Sequence, residues 1–168
     1  MKRVLIPLPK NGFDPTEVTV PWKILSEGGA EITFITADGK PAQCDPIILT
    51  CKGLKFFAPF LKATGAIRRD YARLEKSPEF LNPKTWDSVK ANDFDAIVLP
   101  GGHDKPIREY LESAEVQAIA RAYFAAKKPV GAICHGVLVV GRAGLLAGRK
   151  TTSPTNALEL AAYRMTKL

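Results

Sequence analysis

The sequence predicts a single α/β domain: a three-layer α/β/α sandwich built on a mostly parallel sheet. Three observations carry this. Short β-branched apolar runs alternate with amphipathic segments of helical period, which is the pattern of parallel strands with crossover helices. The chain has 168 residues, the length of one domain, with 46% hydrophobic and 24% charged residues, so it can bury a substantial core. The chemically suggestive residues fall just after the apolar runs, where open α/β sheets collect their functional groups.

The elements follow in order. Val4 to Leu8 is an apolar run between prolines and reads as a buried strand. Pro9 to Pro15 is rich in turn formers and reads as a loop. Asp14, Pro15 and Thr16 look like a helix start, Val20, Ile24 and Leu25 supply its apolar face, and Gly28-Gly29 stops it. Glu31 to Thr36 is a second strand, closed by the turn Ala37 to Pro41. Residues 45 to 92 break the rhythm with four prolines and two short helices, near Leu54–Ala63 and Ile67–Lys76. This stretch reads as a helical insertion, either a lid or a plain surface elaboration. Phe94 to Pro100 is a third strand that runs into Gly101-Gly102-His103. Ser113 caps a helix to Lys127 with Val116, Ile119, Ala120, Tyr123 and Phe124 on one stripe. Pro129 to Cys134 is a fourth strand, and His135 to Ala143 begins the next helix. Lys150 to Ser153 is a candidate short strand, and Asn156 to Met165 reads as a terminal helix.

Composition excludes several classes. The 24 Lys and Arg against 17 Asp and Glu give a net charge of +7, but the basic residues are scattered and no aromatic residues interleave them. A solvated surface is therefore expected, with no nucleic-acid partner. The longest apolar stretch, Val130 to Gly141, is interrupted by His135 and is shorter than the roughly 20 residues a bilayer requires, so no membrane partner is expected. The N-terminus reads as a first strand and not as a secretion signal. Cys44, Cys51 and Cys134 are an odd number with no C-x-x-C spacing, so no zinc ribbon or thioredoxin-like motif is expected and no metal is assigned. Together these point to a reduced cytoplasm.

Ala132-Ile-Cys-His-Gly136 is the sharpest chemical feature. A single residue between a buried strand and a helix sits on a tight, strained turn that pushes its side chain out over the sheet, as at a nucleophile elbow. The following helix N-terminus would lower the thiol pKa and favour thiolate. The competing reading is a structural buried cysteine. His135, beside it, reads as catalytic and His103 as pocket lining or a simple loop residue. Gly101-Gly102 is a weak motif alone; beside an elbow, its N–H groups with that of His135 could meet an oxyanion. No dinucleotide or phosphate-loop motif occurs, and no cofactor is expected.

Val98-Leu-Pro-Gly-Gly-His103 followed by Pro129-Val-Gly-Ala-Ile-Cys-His-Gly136 resembles the ThiJ/PfpI superfamily, which shares the class I glutamine-amidotransferase-like fold. The resemblance covers nearly the whole chain and implies a flavodoxin-like sheet with a nucleophile elbow. Glu17-Val-Thr-Val-Pro21-Trp22 is similar to the Glu-x-x-x-Pro-aromatic pattern of the heat-shock chaperone and glyoxalase III branch, in which that glutamate reaches the cysteine. Thr152 to Glu159 keeps the spacing of a later motif of that branch but replaces Gly-Phe by Ser153-Pro154. The spacing implies that Glu159 orients His135, with Asn156 as the alternative. Related chains continue further, so the C-terminus is expected to be incomplete relative to the family.

The resemblance implies a cysteine-dependent, cofactor-independent enzyme of the glyoxalase III type, converting a small 2-oxoaldehyde such as methylglyoxal to a 2-hydroxy acid. Cys134 would be the nucleophile, His135 or Glu17 the proton-transfer group, and Glu159 the third member of the triad. Gly101, Gly102, His103 and Trp22 would line the substrate site. The same residues leave open a PfpI-type amidase or peptidase, a stress-response chaperone or a thiol redox sensor. A homodimer is the expected assembly. Glu17 is expected to be protonated near neutrality, because burial and a neighbouring thiolate both raise a carboxyl pKa.

Overall fold

A computed structural model describes residues 1–50, 63–152, 155–157, 160 and 163–164. Its centre is a five-stranded sheet built from β1 (Arg3–Pro7), β3 (Glu31–Thr36), β5 (Lys84–Thr85), β6 (Ala96–Leu99) and β7 (Val130–Ala132). The strand order is β5-β3-β1-β6-β7, and every pairing in it is parallel. β1 is flanked by β3 on one side and β6 on the other, so the direction of winding reverses beside it. That reversal opens a crevice at the carboxyl ends of β1 and β6.

The strand alternation decides the two cores. Leu5, Ile35, Ile97 and Leu99 face one side and pack with α5 (Arg108–Glu112), α6 (Ala114–Ala125) and α7 (Val137–Arg142) through Tyr110, Leu111, Val116, Tyr123, Val139 and Val140. Val4, Ile6, Ile32 and Phe34 face the other and pack with α1 (Pro15–Glu27), α3 (Gly65–Leu74) and α4 (Pro78–Leu81) through Val18, Trp22, Tyr71, Leu74 and Phe80. The result is the α/β/α sandwich that the sequence predicts.

Several elements differ from the sequence reading. The loop after β1 holds β2 (Asn11–Phe13), which pairs in parallel with β4 (Gln43–Cys44) in a separate small sheet. The insertion is not purely helical. It contributes α2 (Pro46–Thr50), α3 and α4, and then β5 joins the main sheet beside β3. The helix expected near Ile67–Lys76 is α3, begun two residues earlier by the Thr64 cap, whose side chain accepts from the Ile67 N–H. The one expected near Leu54–Ala63 lies outside the described residues apart from its last position. The short strand expected at Lys150 to Ser153 does not form over residues 150–152. No helix among the described residues is long and apolar enough to cross a membrane.

Candidate active site

Three loops meet at the carboxyl ends of the strands. The first begins after β1 and ends in α1. Asp14 caps that helix: its Oδ1 accepts from the N–H groups of Thr16 at 2.7 Å and Glu17 at 3.3 Å. This fixes Glu17 in the first turn. Pro21, four residues on, has no N–H to give the Glu17 carbonyl, so the turn that carries Glu17 lacks that helical bond.

The second loop follows β6. Gly101 N–H donates to Glu17 Oε2 at 2.7 Å, and Gly101 C=O accepts from Asp14 N–H at 2.9 Å. Gly102 has φ +157, and a Cβ on it would overlap the Gly12 carbonyl oxygen. The glycine pair therefore lets the loop after β6 press onto the start of α1, which locks Glu17 in place. Gly101 N–H, assigned from sequence to an oxyanion, is already committed to Glu17. Gly102 N–H makes no hydrogen bond among the described residues.

The third loop follows β7. Cys134 has φ 51, in the left-handed region that a side chain rarely occupies. This is the backbone strain expected of an elbow, and it is held from both sides. Ile133 N–H donates to Leu99 O at 3.0 Å, and Gly136 N–H donates to Ile133 O at 2.8 Å. A Cβ at Gly136 would overlap the Leu99 carbonyl oxygen, and one at Gly101 would come 2.6 Å from His135 N. The two glycines allow the turn to seat against β6.

The elbow brings Cys134 Sγ to 3.6 Å from His135 Nδ1 and 3.9 Å from His103 Nε2. The two imidazoles meet edge to face, with centroids 4.8 Å apart. The His135 backbone N–H and the Glu17 carboxyl also stand near enough to the sulfur to act on its titration. Cys134 itself remains exposed to solvent.

Burial, followed by the charge of Asp14, raises the Glu17 carboxyl from 4.5 to about 7, against the lowering pull of the Gly101 N–H. Glu17 is thus half-protonated at neutrality, close to the sequence expectation. The thiol departs from it. Partial loss of water around the sulfur comes first and the Glu17 carboxylate second, and together they push Cys134 up to about 12. The helix N-terminus invoked to lower it is one turn of 3-10 helix, Cys134–Gly136, ahead of the six-residue α7. So short an element carries little dipole, and the His135 N–H alone does not outweigh a like charge. The two groups titrate as a pair: between about 7 and about 12 they hold one proton between them.

The remaining sequence candidates are placed as follows. His103, read as pocket lining or a loop residue, stands beside the sulfur, its ring edge to face with that of His135. Trp22 is buried in the core beneath α1, and its Nε1 donates to Glu79 Oε1 at 2.7 Å, so it joins α1 to α4 instead of facing Cys134. Glu159 lies outside the described residues. Asn156 is exposed in a helical turn and is absent from the groups that contact the sulfur.

A family profile described as ThiJ/PfpI family-like matches residues 8–167. The uncharacterized protein C14C4.04 of Schizosaccharomyces pombe is 28% identical, over 96% of this chain and 62% of its own length. General stress protein 18 of Bacillus subtilis is 32% identical, over 86% of this chain and 66% of its own length. Deglycase PfpI of Pyrococcus furiosus is 49% identical, over 41% of this chain and 40% of its own length. The chain thus spans less than two thirds of the first of these relatives. Among solved structures, the ThiJ/PfpI domain protein from Brachyspira murdochii superposes with a TM-score of 0.65 at 18% identity, over 98% of this chain and 75% of its own. DJ-1beta of Drosophila melanogaster gives 0.57 at 22% identity, over 86% of this chain and 61% of its own, so the fold is shared.

Proposed function

Because the chain belongs to the ThiJ/PfpI family, we propose that Cys134 performs cofactor-independent chemistry on the carbonyl of a small 2-oxoaldehyde, in the glyoxalase or deglycase class. Within that class the reading is glyoxalase III-type conversion of methylglyoxal to a 2-hydroxy acid. The observation that carries it is the strained elbow, φ 51 at Cys134, with two imidazoles and one carboxyl converging on its sulfur. The deglycase among the relatives supports the class.

The pair Glu17–Cys134 is the working unit. With its shared proton on Glu17, the sulfur is thiolate. It adds to the aldehyde carbon, the carbonyl π electrons move to oxygen, and Glu17 delivers its proton there, giving a hemithioacetal. Gly102 N–H is the available backbone donor for the developing oxyanion. His135 or His103 then takes the proton from C1 and returns it at C2, which converts the hemithioacetal to a thioester and the ketone to an alcohol. Water hydrolyses the thioester, releasing the 2-hydroxy acid and restoring the thiol. Glu159 completes the proposal as the group that orients His135. A cytoplasmic homodimer is part of the same reading, and sedimentation of the purified chain tests the assembly.

The experiment is a 2-oxoaldehyde assay on the purified chain with and without prior thiol alkylation, run beside an amide and a peptide substrate. Alkylation-sensitive 2-hydroxy acid formation supports the reading; amide cleavage in its place supports the hydrolase alternative. A second reading, reversible oxidation of Cys134, draws on the exposure of that residue and on the stress protein among the relatives. Mass spectrometry after mild peroxide separates it: a sensor oxidises at Cys134 first, whereas oxidation spread evenly over Cys44, Cys51 and Cys134 argues against it.

A further inference from the structure

The atoms that surround the elbow have a second chemical character. A cysteine sulfur and two imidazole nitrogens are the donor set of soft and borderline divalent cations. The donor atoms of His103, Cys134 and His135 all lie within 4.8 Å of one another. In tetrahedral coordination zinc holds sulfur at about 2.3 Å and imidazole nitrogen at about 2.0–2.1 Å, which sets sulfur and nitrogen about 3.6 Å apart. The sulfur–nitrogen separations here are 3.6 Å to His135 and 3.9 Å to His103. The three donor atoms span up to 4.8 Å, against about 3.6 Å or less in a tetrahedral site, so closing on one ion takes rotation of the His103 ring toward both the sulfur and His135.

The cluster does not depend on one mobile loop. His103 follows β6 and Cys134-His135 follows β7, and these strands are paired in parallel from Ile97–Val130 to Leu99–Ala132. The edge-to-face arrangement keeps the rings from stacking, and each presents a nitrogen to the sulfur. Cys134 is exposed, so an ion has a path to the site and a fourth position for water.

We propose that His103, Cys134 and His135 form a binding site for one thiophilic divalent cation, with Zn²⁺ as the type ion, and that metal-bound and reactive sulfur are alternative states of this site. Binding forms one metal–sulfur and two metal–nitrogen bonds, displaces water from the ion and releases the thiol proton to solvent, with no change of oxidation state. A sulfur whose lone pair is bound to metal does not add to a carbonyl, so the ion acts as a reversible blocker. Metal uptake is independent of the proposed glyoxalase reaction and is read without turnover.

The test uses Co²⁺ as the spectroscopic probe on the full chain after chelator treatment. The expected result is one equivalent of Co²⁺ bound with a thiolate-to-cobalt charge-transfer band and the strong visible absorbance of a tetrahedral ion, bleached by one equivalent of Zn²⁺. Cys134→Ser, which is nearly isosteric, removes the charge-transfer band. His103→Ala and His135→Ala each weaken Co²⁺ binding by about tenfold or more. The double variant Cys44→Ser, Cys51→Ser keeps the band. A chain that binds no Co²⁺, a band that survives in Cys134→Ser, or full affinity in His103→Ala overturns the proposal.

Discussion

Replacing Glu17 by Gln removes an ionisable group that the fold holds partly out of water, and its effect on stability has a definite sign. Burial and the Asp14 charge raise the folded-state carboxyl from 4.5 to about 7. The folded protein therefore binds this proton more tightly than the unfolded chain. The stabilisation from that proton is fully present below about pH 4.5 and is lost as pH rises through about 7. At about 1.4 kcal/mol for each pH unit, the whole interval corresponds to about 3 kcal/mol. Water still reaches part of the carboxyl, so about 2 kcal/mol is the working figure. The Gln side chain keeps an oxygen for the Gly101 N–H and does not ionise. Urea unfolding of both proteins across the range from about pH 4 to about pH 8.5 measures the difference as a shift in midpoint at constant slope. Relative to the parent, Glu17→Gln should gain about 2 kcal/mol between the acid and alkaline ends of that range. A difference that stays flat with pH, or a parent that gains on the variant as pH rises, would refute the placement of Glu17 in a desolvated site.

Three further outcomes are expected. In a background lacking Cys44 and Cys51, Glu17→Gln should bring the Cys134 thiol down from about 12 by about one pH unit, because a like charge beside the sulfur is removed. Alkylation rate against pH reads this, and an unchanged profile breaks the assigned coupling. Gly136→Ala should cost more than about 2 kcal/mol of stability, or prevent folding, because its Cβ has no room against the backbone carbonyls of Leu99 and Pro100; an unaltered melting temperature contradicts the elbow packing. Trp22→Phe should cost about 1 kcal/mol through the lost bond to Glu79 and leave turnover unaffected. A raised KM in that variant would return Trp22 to the substrate site.

The elements that were legible in the sequence carry their signals locally. β1, β3, β6 and β7 are β-branched or apolar runs, and α1 and α6 announce themselves through Asp14 and Ser113, whose side chains do cap them. β2, β4 and β5 are two or three residues long and mostly polar, and each exists because a distant segment pairs with it, which no local pattern encodes. The site divides in the same way. Cys134 and Gly136 were readable because a strained turn requires a small neighbour, and Glu17 because its helix start was readable. The functions of Gly101, Trp22 and His103 depend on what folds against them. Gly101 meets a carboxylate, Trp22 meets Glu79, and His103 arrives beside the sulfur because β6 and β7 are neighbours. The rise in thiol pKa was hidden for the same reason: partial desolvation and an acid from another loop outweigh the short helix that follows the cysteine.

The central claim is that the Cys134 sulfur reacts with a 2-oxoaldehyde. Its most direct measurement is 2-hydroxy acid formation from methylglyoxal by the parent chain and by Cys134→Ala, purified in parallel and shown to unfold at the same urea concentration. Catalytic product formation by the parent, reduced to the uncatalysed rate in Cys134→Ala, is the predicted result. A Cys134→Ala protein that turns over like the parent, or a parent that forms no product above the uncatalysed rate, contradicts the account.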